Sequence, residues 1–136
     1  MTYATRIADR PMDGAAIRTL LEVDRVDGLD ALDWSDLGGQ WLVVDDGQQI
    51  VGCVQLLPGK PIARAENLAV DAALSRRQRA RVVSMLIRAT IMLLRRAGCG
   101  AIISTVPDDL DSYQAVLERR GAVSLYSGQT LIKRLV

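Results

Sequence analysis

Two rhythms of apolar and polar positions alternate along the chain, and the changes between them mark its elements. Tyr3–Ala8 alternates as a strand does, Pro11 is expected to halt it, and Ile17, Leu20 and Leu21 then form one face of a helix over Ala15–Val23. A short second helix around Asp30–Leu37 follows, bounded by Gly28 and Gly38-Gly39. Trp41–Val44 and Gln49–Leu57 read as a hairpin around Asp45-Asp46-Gly47, and Pro58-Gly59 turns the chain into a further strand, Ile62–Val70.

The longest helical pattern comes next. Ser75 and Gln78 match a capping box, so a helix should begin at Arg76. Its apolar positions fall at Val82, Leu86 and Leu93 and at Val83, Ile87, Ile91 and Leu94, with Arg77, Arg81, Ser84, Arg88 and Arg95 opposite. Gly98 stands where a helix closes through a left-handed residue. Ala101–Thr105 is a short β-branched run suited to a buried strand beside a parallel neighbour. Asp109–Arg120 predicts a helix with Leu110, Tyr113, Val116 and Leu117 inward, and Ala122–Tyr126 and Thr130–Val136 a closing hairpin around Ser127-Gly128. The predicted order is β-α-(α)-β-β-β-α-β-α-β-β, an α/β (α+β) chain whose strand-helix-strand step implies a right-handed crossover.

Composition narrows the classes. A length of 136 residues, 49% of them hydrophobic, suits one domain over 1–136. The chain has no histidine, which excludes Ser-His-Asp and Cys-His catalysis and argues against a zinc site. Cys53 and Cys99 are too few for a disulfide framework, so a reducing, cytoplasmic compartment is expected. MTYATRIADR lacks an apolar signal core, and Ile91–Leu94 is flanked by Arg88 and Arg95, so no membrane span is expected.

The net charge of +1 conceals a division: residues 1–46 hold ten acids and four arginines, residues 47–136 six acids and thirteen bases. Asp24, Asp27, Asp30, Asp33 and Asp36 recur every third residue, a spacing that does not match a calcium loop. They form either a solvated connection or a mouth that attracts a cationic amine. Arg76, Arg77, Arg79 and Arg81 crowd the first turns of the long helix, where the helix dipole favours negative charge. Either they are a solvated face in a chain with fifteen Arg and two Lys, or they form an anion site with the free amides of the helix end. Nucleic acid is the weaker candidate partner, because no aromatic lies between Trp41 and Tyr113 to interleave with the arginines.

The element order resembles the GNAT fold of GCN5-related N-acetyltransferases across essentially the whole chain: a mixed central sheet of six to seven strands with helices on both faces. Glu66-Asn67-Leu68-Ala69-Val70 resembles that family's fourth strand, the segment Arg76–Val82 occupies the place of its pyrophosphate loop, and Ala115–Ala122 resembles its Ala-x-x-Tyr-Glu-x-x-Gly-Phe-like ending. The resemblance implies acetyl-CoA as cofactor, its diphosphate held by Arg76, Arg77, Gln78, Arg79, Ala80, Arg81 and Val82 and its pantetheine arm along Leu68, Ala69 and Val70. It implies acetyl transfer to a small-molecule or peptide amine, with Glu66 as base and Tyr113 as the nearest substitute for the family's acid. Two departures oppose it. The family's loop glycines are replaced by Ala80 and Val82 when the motif starts at Arg77, or by Arg79 and Arg81 when it starts at Arg76, and Leu117 stands where the family's Tyr belongs. The alternative is therefore a non-catalytic module of the same fold docking into a larger assembly through its charged faces, as in a phage particle.

Overall fold

A computed structural model describes residues 2–23, 39–105, 111–121, 123–126 and 130–134. Ten elements run in the order β1 (Ala4–Ile7), α1 (Arg10–Val23), β2 (Gln40–Asp45), β3 (Ile50–Leu57), β4 (Ile62–Val70), α2 (Arg76–Arg96), β5 (Ala101–Thr105), α3 (Asp111–Arg119), β6 (Val123–Tyr126) and β7 (Thr130–Arg134). One seven-stranded sheet holds them in the order β1-β2-β3-β4-β5-β7-β6. Among the described strands only β4 and β5 pair in parallel, joined by the α2 crossover, as the β-branched run at 101–105 predicts. The aspartates of 24–36, with the short helix expected there, lie outside the described residues, as does the turn at Ser127-Gly128.

The sheet is apolar on both faces. Ile17, Leu20 and Leu21 of α1 close over Trp41, Val43, Ile50, Cys53 and Ala69. On the other face Val82, Leu86 and Leu94 of α2 cover Leu42, Val44, Val54, Leu56, Ala63 and Ala65. Alternate residues of one strand thus feed different layers, as a period of two requires. Cys53 and Cys99 belong to these two separate clusters, and neither forms a disulfide. No helix of the described residues is long and apolar enough to cross a membrane.

One boundary differs from the sequence expectation. Pro11 does not end a strand ahead of a helix starting at Ala15; it sits in the first turn of α1, which begins at Arg10. A first-turn proline has no N–H to leave unsatisfied and its φ already suits a helix, so it marks the start rather than a barrier. Behind it, Asp13 accepts a bond from the Asp9 amide at 2.7 Å and is held by both terminal nitrogens of Arg6, at 2.6 and 3.0 Å. That pairing ties the end of β1 to the start of α1.

The ends of α2 form as the sequence predicts. Ser75 Oγ accepts from the Gln78 amide at 3.2 Å, while Gln78 Oε1 accepts from the Ser75 amide at 2.9 Å. At the other end Gly98, at φ 85°, lets its own amide reach Arg95 O and the Cys99 amide reach Leu94 O. Between these caps α2 crosses the sheet over Gly52, where an added Cβ would come within 2.6 Å of Val82 Cγ1. Five residues separate the end of β4 from the start of α2.

Candidate active site

The parallel ladder between β4 and β5 is short. It pairs Ile62 with Ala101, Ala63 with Ile102 and Arg64 with Ile103, and ends there, although β4 continues to Val70 and β5 to Thr105. On its other edge β4 stays paired to β3, but the register shifts: Gln55 faces Glu66, and Cys53 faces Ala69. Two residues of β4, Asn67 and Leu68, therefore stand against one of β3. This is a β-bulge, and it bends the strand that carries it. Asn67 takes φ 53°, making it the one described non-glycine residue at positive φ. Its Nδ2 donates to Gln55 Oε1 at 2.8 Å, which secures the turn in the strand.

Beyond the bulge, β4 offers backbone rather than side chains to the gap that opens toward β5. Leu68 and Val70 turn into the α2 layer and Ala69 is buried on the α1 side. The amides and carbonyls of this stretch that face away from β3 have no ladder partner in β5, and the chain leads from them to the start of α2. Free helix-end amides and strand amides together suit an elongated ligand carrying both a phosphate and hydrogen-bonding groups.

Glu66 is partly buried at the bulge. Arg64 reaches it from the same strand, with Nε at 3.2 Å and Nη2 at 3.1 Å from Oε1. The candidate base is thus paired with an arginine of its own strand. Both contacts fall on one oxygen, so Oε2 has no partner among the described residues. Tyr113 lies in the first turn of α3, and its side chain is outside what the structure describes. Leu117 is partly buried against Ile87 of α2, together with Val116.

The arginine-rich segment is divided by the geometry of its helix. Val82, expected at the cofactor, is fully buried against the sheet and has no surface to present to a phosphate. Gln78 has its carbonyl oxygen engaged in the cap. Arg77, Gln78 and Arg81 flank a groove shared with Tyr3, on the side of α2 toward β1. On the opposite flank Val83 and Ile87 pack with Leu68 and α3. Arg76, Arg79 and Ala80 precede Val83 by seven, four and three residues, so they continue that flank toward the β4–β5 gap. All three are exposed.

Sequence reading missed Asn67 as a conformational device, and Gly52 and Tyr3 as neighbours of α2. An Asn inside an apolar strand is a weak signal for the left-handed region. Tyr3 carried none, because its neighbours Arg77 and Arg81 are more than seventy residues away in the chain.

The sequence matches no family model and no curated protein. Solved structures match over the full length. Ard1 from Thermoplasma volcanium superimposes with a TM-score of 0.81 at 18% identity, covering 100% of this chain and 99% of its own. An acetyltransferase of the GNAT family from Staphylococcus aureus Mu50 does so at 0.78 and 15% identity, covering 99% and 100%. The chain has the GNAT fold. A third GNAT-fold neighbour, yncA from Salmonella typhimurium, was solved with its cofactor acetyl-CoA, and matches at 0.75 and 16% identity over 100% of this chain and 95% of that one. At identities this low the likeness speaks for architecture, while the chemistry has to be argued from the residues present.

Proposed function

We propose that this GNAT-fold chain is an acyl-CoA-dependent N-acyltransferase that moves an acetyl group from acetyl-CoA to an amine. The observation that carries the reading is the early end of the β4–β5 ladder at Arg64 and Ile103, beside the bulge at Asn67 and before the amino end of α2. A sheet gains nothing from leaving the edges of two adjacent strands unpaired unless another hydrogen-bonding partner takes their place. An acetyl-CoA pantetheine arm has amides to pair with the β4 edge, and its diphosphate matches the dipole and free amides at the start of α2. Arg76 and Arg79 add charge on that flank, which compensates for a loop lacking the glycines that allow closer backbone approach. The neighbour yncA, solved with acetyl-CoA, supports the choice of cofactor.

The residues suit the following chemistry. The amine nitrogen attacks the thioester carbonyl carbon, and strand amides of the β4 edge stabilise the negative charge that develops on its oxygen. Glu66 takes the amine proton on Oε2, while Arg64 holds Oε1 and orients the carboxylate. The C–S bond then breaks and the coenzyme A thiolate leaves, taking up a proton from water or from Tyr113. Leu117 cannot supply that proton, so slow turnover is expected at pH values where the thiolate needs help to leave.

Calorimetry with acetyl-CoA, paired with release of free coenzyme A thiol in the presence of polyamines and peptide amines, tests the reading. Binding to the wild type, weakened about tenfold or more by Arg79→Glu, supports it. Failure of the wild type to bind acetyl-CoA overturns it and leaves a non-catalytic docking module of the same fold. Binding without turnover on any amine would restrict the chain to a cofactor-binding role.

A further inference from the structure

We infer that the acceptor is a small amine carrying its own carboxylate a few bonds from the nitrogen, and that Arg64 selects it. This assignment rests on the acyltransferase reading and deepens it by naming the class of acceptor. Ala63 and Ala65 turn into the α2 layer, so Arg64 and Glu66, which alternate with them, face the other side of the sheet. On that side α1 closes over Cys53 and Ala69, farther along the same strands. Arg64 is left open: its side chain is 59% exposed, against 18% for Glu66.

Arg64 uses only part of its guanidinium. Nε and Nη2 both donate to Glu66 Oε1, at 3.2 and 3.1 Å, so one edge of the plane is engaged. Nη1 and the second N–H of Nη2 make up the end fork, which has no partner among the described residues. Neighbouring side chains do not compete for it. The register sets Leu57 of β3 and Ile103 of β5 beside Arg64, and Gln55 beside Glu66, none of them an acid. Glu66 and Asp71 are the only acids between Ile62 and Thr105, a span that holds eight arginines. A planar fork of parallel N–H groups matches the two oxygens of a carboxylate.

The ion pair places this fork where it can choose among amines. Glu66 Oε2 is the oxygen that takes the amine proton, and the fork belongs to the arginine bonded to the same carboxylate. An amine held at Oε2 therefore has the fork within a few bonds' reach. A carboxylate at that separation pairs with Arg64 while the nitrogen stays at the base, whereas a bare alkylamine leaves the fork to water. Charge makes the same selection. Arg64 and Glu66 together carry no net charge, so the pair gives a polycation little attraction, while an acceptor with one ammonium and one carboxylate complements both halves.

The test uses the whole chain. Calorimetry first measures acetyl-CoA binding, and a wild type that does not bind it defeats the acyltransferase reading and this assignment with it. With binding established, release of coenzyme A thiol is followed for glycine, β-alanine and γ-aminobutyrate, each against its primary amide and its decarboxylated amine. The amide's nitrogen is less basic than the amino acid's and the alkylamine's is more basic, so a preference for the acid over both does not come from basicity. The wild type should show kcat/KM about tenfold or more higher for the best acid than for either control, through a lower KM. Arg64→Gln should bring that ratio to about one by raising KM for the acid, even as release of Glu66 lowers kcat for every acceptor. A residue that only orients Glu66 would lower kcat alike for all and leave the ratio intact. That result overturns the inference, as does a wild type that prefers the amides or the alkylamines. If turnover is too slow to rank the acceptors, calorimetry of the same compounds on the coenzyme A complex reads the ratio. Tighter binding of the acid, abolished by Arg64→Gln, supports the inference, and equal binding of acid and amide overturns it. Were Arg64→Gln to misfold, Arg64→Lys, which keeps the charge without the fork, should still cut the ratio severalfold, and an unchanged ratio there overturns the inference.

Discussion

Asn67 and Gln55 form a bond of 2.8 Å between neighbouring strands, and the donor's own backbone is at φ 53°. The side-chain bond and the backbone strain belong together. A left-handed residue inside a strand costs about 1–2 kcal/mol for most side chains, less for Asn, and persists only where its surroundings hold it. Here the holding group is on β3, and the consequence is on the far edge of β4, which is turned away from β5.

Replacing Asn67 by Gly should therefore cost only the bond to Gln55, about 1 kcal/mol, because Gly accepts positive φ, whereas Asn67→Val adds backbone strain and should lower stability by about 3 kcal/mol. If the bulge also shapes the acetyl-CoA opening, the Val variant should lose affinity for acetyl-CoA while the Gly variant keeps it. Urea unfolding and calorimetry on the two variants check both statements, and equal behaviour of Gly and Val would show that the backbone conformation at 67 has no role.

Arg6 and Asp13 make stability depend on pH. The hydrogen bonds from Arg6, aided by the Asp9 amide, hold the Asp13 carboxyl below the ordinary carboxylate range despite its burial, and Arg6 is shifted upward by the same contact. A carboxyl depressed in the folded state adds stability that is present above its unfolded pKa of about 3.9 and is lost as pH falls through the folded value. Asp13→Asn should destabilise by about 2 kcal/mol at neutral pH, and that difference should shrink on acidification below about pH 4. Urea midpoints of both proteins across this range supply the measurement, and a pH-independent difference would assign the loss to packing.

Gly52 sets how closely α2 approaches the sheet. An added methyl would come within 2.6 Å of Val82 Cγ1 and 3.3 Å of Leu86 Cδ1, both on a fully buried helix face. Gly52→Ala should cost about 2 kcal/mol by overpacking, and the double variant with Val82→Ala should recover part of the loss by making room. Thermal unfolding of the cycle tests this, with additive effects counting against direct contact.

The capping box is the least costly feature to remove. Ser75→Ala deletes the oxygen that accepts the Gln78 amide and should cost about 1 kcal/mol. The Gln78 backbone amide would then lose its acceptor, and the amino end of α2 should fray. Hydrogen exchange at residues 76–80 would reveal the fraying, and unchanged protection there would mean that the packing of Val82 alone secures the first turn.

The elements were legible because their causes are local. The capping box at Ser75, the Gly98 terminus, the Asp-Gly hairpin and the alternation along Ile62–Val70 are each set within a few residues, and the α/β order with its parallel step follows from them. Pro11 was misread because a proline ends one pattern and begins another with the same geometry, and its neighbours do not say which. The division of the arginine cluster could not be read from the chain. Helical periodicity places Arg77 and Arg81 on one stripe, but it was packing against Gly52 that oriented this stripe toward Tyr3 and left Arg76 and Arg79 to the β4–β5 side. The pairing of Glu66 with Arg64 and the bulge at Asn67 likewise depend on a register between β3 and β4 that no stretch of either strand encodes alone. Local propensity acts over one or two turns of chain, whereas helix rotation, strand register and buried neighbours come from satisfying all the apolar faces at once, and in this protein the chemistry of the site depends on those long-range choices.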